Sequence, residues 1–289
     1  MPHLFEFMDL PGLPAGLRLT LRDILEVACS PPIRPYYTSV AKLILTMLDT
    51  RRYENVVELG AGNAPITRAV APKLSSRDVR LIPCDETPDL AAYQELQRQY
   101  PDRVTPTIDS IDLSKPQDWP PHTLLVLSAT LHHIPSTVRA RVVRHLADSA
   151  ERVLITEPLR KSVLALFAVS FTIFPALATP AVLVARPGRA RRALWCWLIP
   201  IAPLMFVWDG WVSCIRQWTL KEWNSELSSV HLSQYARVTS GPISIVVDIL
   251  GQRRDGTQGS RRAAGVRETV NEESASSHAD GPLNARCCL

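Results

Sequence analysis

The sequence lacks the marks of several functional classes. Its six cysteines, Cys29, Cys84, Cys196, Cys214, Cys287 and Cys288, fall neither at metal-ligand spacings nor in a secreted disulfide framework. No metal set is therefore expected. Free cysteine in apolar context behaves as a small hydrophobe, which points to a reducing, cytosol-facing location. The first ten residues carry Glu6 and Asp9 and no basic n-region, so no secretory leader is read there. The terminal Cys287-Cys288-Leu289 falls short of a prenylation box, which would need cysteine where Arg286 stands. Charge of one sign is scarce too. A net of +4 over 289 residues, scattered along the chain, excludes no fold but argues against a nucleic-acid partner. Arg186, Arg189, Arg191 and Arg192 do bunch, but among apolar neighbours, which fits a membrane surface better than a phosphate backbone.

What is present is a change of periodicity along the chain. Residues 1–53 read as a helical lead-in, with Leu17, Leu21, Ile24, Leu25 and Ala28 at helical spacing until Pro31-Pro32. A second helix is expected over 38–48. From 54 to 251 short apolar runs alternate with amphipathic stretches. Strands are expected at 55–59, 79–84, 104–108, 123–128 and 152–156, with helices at 65–74, 88–99 and 136–149. Such alternation implies βαβ units and an α/β, Rossmann-like architecture with a parallel sheet covered on both faces. Within it, 162–208 reads as an apolar helical insertion: 162–185 and 193–208 hold no charged residue, and the arginine-rich connector joins them. A helix over 219–227 and strands at 230–238 and 243–250, joined through Ser240-Gly241-Pro242, close the domain. The polar 252–289 tail has little to bury and is expected to be disordered.

The sharpest local signal is Val56-Val57-Glu58-Leu59-Gly60-Ala61-Gly62-Asn63-Ala64, which follows one strand and opens a helix. Gly60 and Gly62 permit a tight turn and close approach of backbone to a ligand. Glu58 argues against a phosphate loop, because a carboxylate repels pyrophosphate but can pair with the ammonium group of an amino-acid moiety. The run also departs from G-x-G-x-x-G, since its sixth position is Pro65. About twenty residues on, Asp85 ends the next strand, where a carboxylate can accept both ribose hydroxyls of a nucleoside, with Glu86 as its neighbour and competitor. Asp112, in competition with Asp109, is placed to accept a hydrogen bond from an adenine amino group.

Taken together, these residues resemble class I S-adenosylmethionine-dependent methyltransferases, whose motif (Glu/Asp)-x-Gly-x-Gly-x-Gly is matched except at Ala64. The resemblance covers about residues 3–250 and extends to a subgroup with an apolar insertion. It rests also on His3-Leu4-Phe5-Glu6-Phe7 with Asp9-Leu10-Pro11, on Leu131-His132-His133, on Asp209-Gly210-Trp211-Val212-Ser213-Cys214-Ile215-Arg216, and on the closing Gly-Pro strand pair. It implies a seven-stranded sheet whose last strand is antiparallel, with S-adenosyl-L-methionine over the C-terminal strand ends. The methionine end would lie near Glu58 and Gly60, with Gly62 in the same loop, the ribose near Asp85 and the adenine near Asp112.

Methyl transfer from a sulfonium is an in-line displacement, so the protein mainly aligns and desolvates the reactants. A hydroxyl or protonated amine acceptor also needs a base. His133 and His132 follow the fourth strand and can serve, since imidazole titrates near about 6.5; either can equally be structural. Asp209, flanked by Trp208 and Trp211, is the other candidate, because desolvation raises a carboxyl pKa. It can also simply end a helix, with Gly210 supplying the turn. The apolar insertion suggests a small lipophilic or aromatic acceptor, such as a secondary metabolite, and membrane association through 162–208. Prolines at 175, 180, 200 and 203, and arginines that a spanning hairpin would carry to the far side, favour helices lying on the membrane or over the site. Two alternatives stay open: a non-catalytic, membrane-associated methyltransferase-fold protein, and a peptide or protein amine methyltransferase. The sequence does not fix the oligomeric state.

Overall fold

Strand β1 (Asn55–Leu59) is buried along its whole length, as are β3 (Thr123–Ser128) but for its last residue and β4 (Arg152–Glu157) but for its first. Near-continuous apolar runs of this kind belong to strands covered on both faces. The computed structural model describes residues 4–29, 35–74, 78–241 and 243–251. The 252–289 tail with its terminal cysteines lies outside the described residues, as do His3, Pro31-Pro32 and Pro242. With β2 (Arg80–Cys84), β5 (Ala236–Ser240) and β6 (Ile245–Leu250), the strands form one sheet in the order β2-β1-β3-β4-β6-β5. The first four run parallel; β6 is antiparallel to both β4 and β5.

Alternate residues of each central strand feed opposite layers, as the two-residue period requires. Val56, Leu124 and Val126 pack under α2 (Tyr36–Thr50), α3 (Pro65–Val70) and α4 (Leu90–Gln99). Val57, Leu125 and Leu127 pack under α5 (Ser136–Ser149) and α10 (Leu220–Ser229). Local signals set several boundaries. Asp89 caps α4 by accepting from Ala92 N–H, and Thr219 with Glu222 forms a reciprocal capping box on α10.

The sheet has six strands, not the seven expected. The segment expected as a strand over 104–108 runs beside β2 but makes only a single bridge, Leu81 to Val104. Leu81 N–H donates to Arg103 O, and Thr105 and Thr107 N–H donate to Leu81 and Pro83 O. The donor that should come next, on residue 83 of β2, does not exist, because Pro83 has no N–H. A parallel ladder one donor short at the sheet edge stays an irregular strap. Strand β5 also starts later than expected: α10 runs to Ser229, and His231 takes a left-handed φ of 58° before the chain extends. Arg152 fixes the antiparallel closure, its guanidinium meeting Asp248 at 2.7 and 2.5 Å.

The apolar insertion comprises α6 (Val163–Ser170), α7 (Ile173–Val182), α8 (Arg189–Ala193), a π-helical turn (Leu194–Leu198) and α9 (Ile201–Arg216). It folds onto α1 (Ala15–Ala28), where Leu17, Leu21 and Ile24 meet Ala176, Cys196, Ala202 and Met205. The lead-in and the insertion thus share one core. Helix α9 passes straight through Asp209 and Gly210, which overturns the expectation that they end a helix. Gly210 has a packing reason instead: a Cβ there would lie 2.7 Å from Val169 Cγ1 of α6.

Candidate functional site

The chain leaves β1 toward β2 on one side, while β3 flanks β1 on the other, so the strand order reverses at the carboxyl end of β1. Open α/β sheets form their ligand crevice at such a point. Here the loop Gly60–Ala64 bounds a crevice of about 660 Å³, whose walls include Gly60, Asp85, Asp112, Thr130 and His133. That size lies within the ~300–1,000 Å³ typical of small-molecule pockets.

Three loop positions are left-handed: Gly60 (φ 63°), Gly62 (φ 53°) and Ala64 (φ 57°). At Gly60 a Cβ would fall on the Thr130 side chain, 2.6 Å from its Oγ1. Ala64 holds, as a non-glycine residue, the position where the family motif has glycine, and it is fully buried. Left-handed backbone costs an L-residue about 1–2 kcal/mol, against about 0.5–1 kcal/mol for the extra entropy of glycine. Ala64→Gly is therefore expected to stay within about 1 kcal/mol of wild type. The control Ala140→Gly, inside α5, should cost about 1 kcal/mol in the same thermal unfolding series.

Glu58 does not face this crevice. One oxygen accepts from Ile66 N–H (3.0 Å), the other from Thr67 N–H and Oγ1–H (both 2.7 Å). It braces the first turn of α3 from behind, which answers the unpaired amides there. Burial raises its pKa to about 7 against the pull of the Thr67 and Ile66 donors. A direct pairing of Glu58 with an ammonium group, as expected from the motif, is not what this geometry offers. Unlike Asp85 and Asp112, Glu58 is not on the crevice wall.

Asp85 sits across from the loop. It accepts from Gly62 N–H (2.7 Å) and Thr87 N–H (2.8 Å), which ties the tips of β1 and β2 together. It also stands on the wall shared with a second crevice of about 650 Å³, lined by Gly62, Tyr37, Cys29, Arg22 and Arg186. Asp112 lies on the first crevice wall in a turn that Ser114 N–H and Oγ–H close onto its carboxylate, and Lys115 pairs with it at 3.1 Å. The Ser114 hydrogen bonds hold its pKa down at about 2. Asp109 is exposed and lies off that wall. On the β2 side, burial pushes the Cys84 thiol up to about 12, which keeps it protonated.

The two histidines separate. After β3, a short 3-10 turn (Leu131–His133) buries His132 and leaves His133 half-exposed on the crevice. His132 Nδ1 lies 2.8 Å from Glu157 Oε2, at the tip of β4; Glu157 also accepts from Leu131 N–H and Gln217 Nε2–H. Burial works to raise the Glu157 pKa, but His132 and Gln217 outweigh it and hold it below the ordinary carboxylate value. His132 is thus a fixed element of the turn. The His133 ring lies against it, tilted by 37° with centroids 4.2 Å apart, and its Nδ1 meets Asp9 at 3.1 Å and Glu6 at 3.6 Å.

Asp9 and Glu6 belong to an N-terminal strap that α9 holds in place. Asp209 is buried, but its oxygens accept from Phe7 N–H (2.7 Å) and Met8 N–H (3.1 Å) rather than facing the crevice. Burial raises its pKa to about 6. Arg216 donates to Leu4 O and pairs with Glu6 at 3.1 Å and Asp9 at 3.2 Å. Burial lifts Glu6 to about 7. Asp9 is held at about 2, since hydrogen bonds from His133 and Arg216 overcome its partial burial. Glu6, His132 and His133 bring one ligand-type atom each within 4.8 Å of one another. Arg216 and Glu157 already satisfy the group as an ion-pair network.

The site therefore gathers Gly60, Asp85, Asp112 and His133 in one crevice, with Gly62 on its neighbour. Glu58, His132 and Asp209 lie behind the wall as supports. Sequence reasoning gave no role to Asp9, Thr130, Glu157 or Arg216. Asp9 and Arg216 stand in segments that carry the resemblance, Glu157 is an acid ending an apolar strand, and Thr130 has no local signal.

No protein-family model matches the chain, and no curated protein matches it in sequence. Solved structures do. The CMeT domain of the citrinin polyketide synthase aligns at a TM-score of 0.55 and 17% identity, over 84% of this chain and 61% of that one. The CurJ carbon methyltransferase aligns at 0.46 and 13%, over 74% and 54%. The magnesium protoporphyrin IX methyltransferase of Synechocystis PCC 6803, solved with bound SAH, aligns at 0.45 and 13%, over 84% and 91%. The chain spans less than two thirds of the first two proteins. Its fold is that of the class I S-adenosylmethionine-dependent methyltransferases.

Proposed function

We propose that this chain is an S-adenosylmethionine-dependent methyltransferase acting on a small, lipophilic or aromatic acceptor. The observation that carries the reading is the left-handed loop at the sheet's switch point, with Asp85 across from it in a crevice of about 660 Å³. When bound, the donor supplies a methyl group already activated by its sulfonium charge. The residues present fit it. Asp85 is the acceptor for ribose hydroxyls, Asp112 faces the adenine amino group, and Ile111 and Leu113 provide apolar walls beside it. Gly60 and Gly62 let the loop backbone approach the amino-acid end, and Glu58 acts through the loop it braces. His133 takes the acceptor's proton: Asp9 holds Nδ1, so Nε2 is the nitrogen left to act as base. The apolar insertion near the second crevice supports a lipophilic acceptor.

Calorimetric titration with S-adenosylhomocysteine tests the reading. Wild type should bind, and Asp85→Ala should bind about 10–100-fold more weakly, the worth of charge-assisted hydrogen bonds of ~1.5–3 kcal/mol. His133→Asn should keep the affinity and lose about 100-fold or more in turnover of a methylated acceptor. A wild-type protein that ignores both donor and product rules the enzyme out.

A further inference from the structure

We propose that the outer face of α6, α7 and α9 docks the protein on an anionic lipid bilayer without crossing it. Val163, Phe167, Phe174, Trp197, Leu198 and Leu204 are each more than half exposed. Phe167, Phe171 and Phe174 follow one another with ring centroids 4.9 and 6.2 Å apart, and Trp197 and Trp211 reach Leu177 of α7 and Ser170 of α6, so the exposed side chains of these elements adjoin. Soluble monomers rarely expose a contiguous apolar patch beyond a few hundred Å². Trp197 and Trp211 add amphipathic rings whose indole N–H groups are satisfied by Leu177 O and Ser170 Oγ. Such rings favour the headgroup boundary.

Charge selects the occupant. From Pro158 to Trp208 there is no acidic residue. Of its basic residues, Arg186, Arg191 and Arg192 pair with Glu26 and Asp23 of α1, and Lys161 pairs with Glu222. Among them the exposed Arg189 is the one placed to meet an anionic headgroup. An exposed apolar face whose own segment carries no acid, with Arg189 exposed beside it in sequence, complements anionic headgroups over an acyl layer.

The ion pairs exclude crossing. The stretch Val163–Val182 is long and apolar enough to span, and Arg189–Leu198 with Ile201–Arg216 forms a second candidate bent by 77°. A spanning hairpin would carry the 186–192 connector to the far side. That connector is instead clasped to α1: Arg191 and Arg192 reach Asp23 at 2.5 and 3.2 Å, and Arg186 reaches Glu26 at 2.8 Å. Arg192 is buried, donating also to the carbonyls of Leu183, Arg186 and Pro187. Both ends of the insertion and its midpoint thus lie on the side of the sheet. Only its outer face is left for lipid. Because Arg186 also lines the second crevice, docking sets that crevice at the membrane rim.

The inference does not rest on methyl transfer, and its test needs no methyl donor. Full-length protein is sedimented with vesicles of phosphatidylcholine alone and with phosphatidylglycerol added. It should pellet with the anionic vesicles, release in alkaline carbonate, and show Trp197-dependent quenching by brominated lipids. Phe167→Glu with Phe174→Glu should lower the bound fraction at least about tenfold, and Arg189→Glu should weaken binding to anionic vesicles only. Protein left in the supernatant with both vesicle types, or unquenched by brominated lipid, overturns the proposal. Retention after carbonate would show a span instead. A stable dimer that the double variant dissociates would show a second copy on this face. If the double variant does not fold, the wild-type quenching decides.

Discussion

Gly60→Ala is expected to weaken binding of S-adenosylhomocysteine about 30-fold or more. Two costs add. Left-handed backbone charges an L-residue about 1–2 kcal/mol, and the new Cβ overlaps Thr130, a crowding that costs about 1–3 kcal/mol. Thr130 cannot swing away freely, since its hydroxyl donates to Ser128 O at 3.0 Å. The loop can keep its shape and lower the protein's stability, or flip and let its carbonyls fill the crevice. A loop that keeps its shape shows the sum, about 2–5 kcal/mol, as lost stability. A flipped loop must be driven back on binding and shows it as lost affinity, the outcome expected here because the cost is relieved in the free protein. Calorimetry and thermal unfolding on Gly60→Ala and on Gly60→Ala/Thr130→Ala separate the two. The double variant should recover the steric share and leave the backbone share. If Gly60→Ala binds as wild type does, the loop is not where the donor sits.

Removing the Glu157 carboxylate should be the most destabilising single change in the site. In Glu157→Ala, Leu131 N–H, His132 Nδ1 and the Gln217 amide lose their common acceptor in the interior. Breaking a buried pair in this way costs about 3–5 kcal/mol, which lowers the melting temperature of a chain this size by roughly 10 °C. Turnover should fall as well, because His133 lies against the ring that Glu157 orients. The effect has a sign in pH. The folded pKa of Glu157 is depressed below 4.5, so its contribution is full above that value and fades as pH falls through the folded value. The gap between variant and wild type should therefore be wider at about pH 7 than at about pH 3. Glu58 and Glu6, raised to about 7, and Asp209, raised to about 6, act the other way: their contributions are full below about pH 4 and are lost as pH rises through those values. An equal gap at both pH values would mean that Glu157 is not ionised in the folded protein.

Much of the site was legible because its signals are local. A strand end, two glycines and a helix start lie within ten residues, and an acid at the next strand tip needs only the βαβ period to be placed. His133 was legible for the same reason. The rest was decided at longer range. Chemistry alone points Glu58 at a ligand, but whether a strand-end carboxylate faces forward or back depends on the amides behind it. For Asp209 the sequence offers a base or a helix end, yet α9 runs on through it, and α6 packs so tightly on α9 that glycine is needed inside the helix. Pro83 removed a strand through one missing donor on its neighbour.

Composition and periodicity by themselves determined that this chain forms a covered parallel sheet with a ligand-ready turn, because burial and backbone freedom are properties of a few adjacent residues. Tertiary structure alone decided which charges face the crevice, that Asp9 of the strap reaches His133, and on which side the arginine connector lies. Those are pairings between residues far apart in the chain, where the partner that quenches or exposes a charge is chosen by folding.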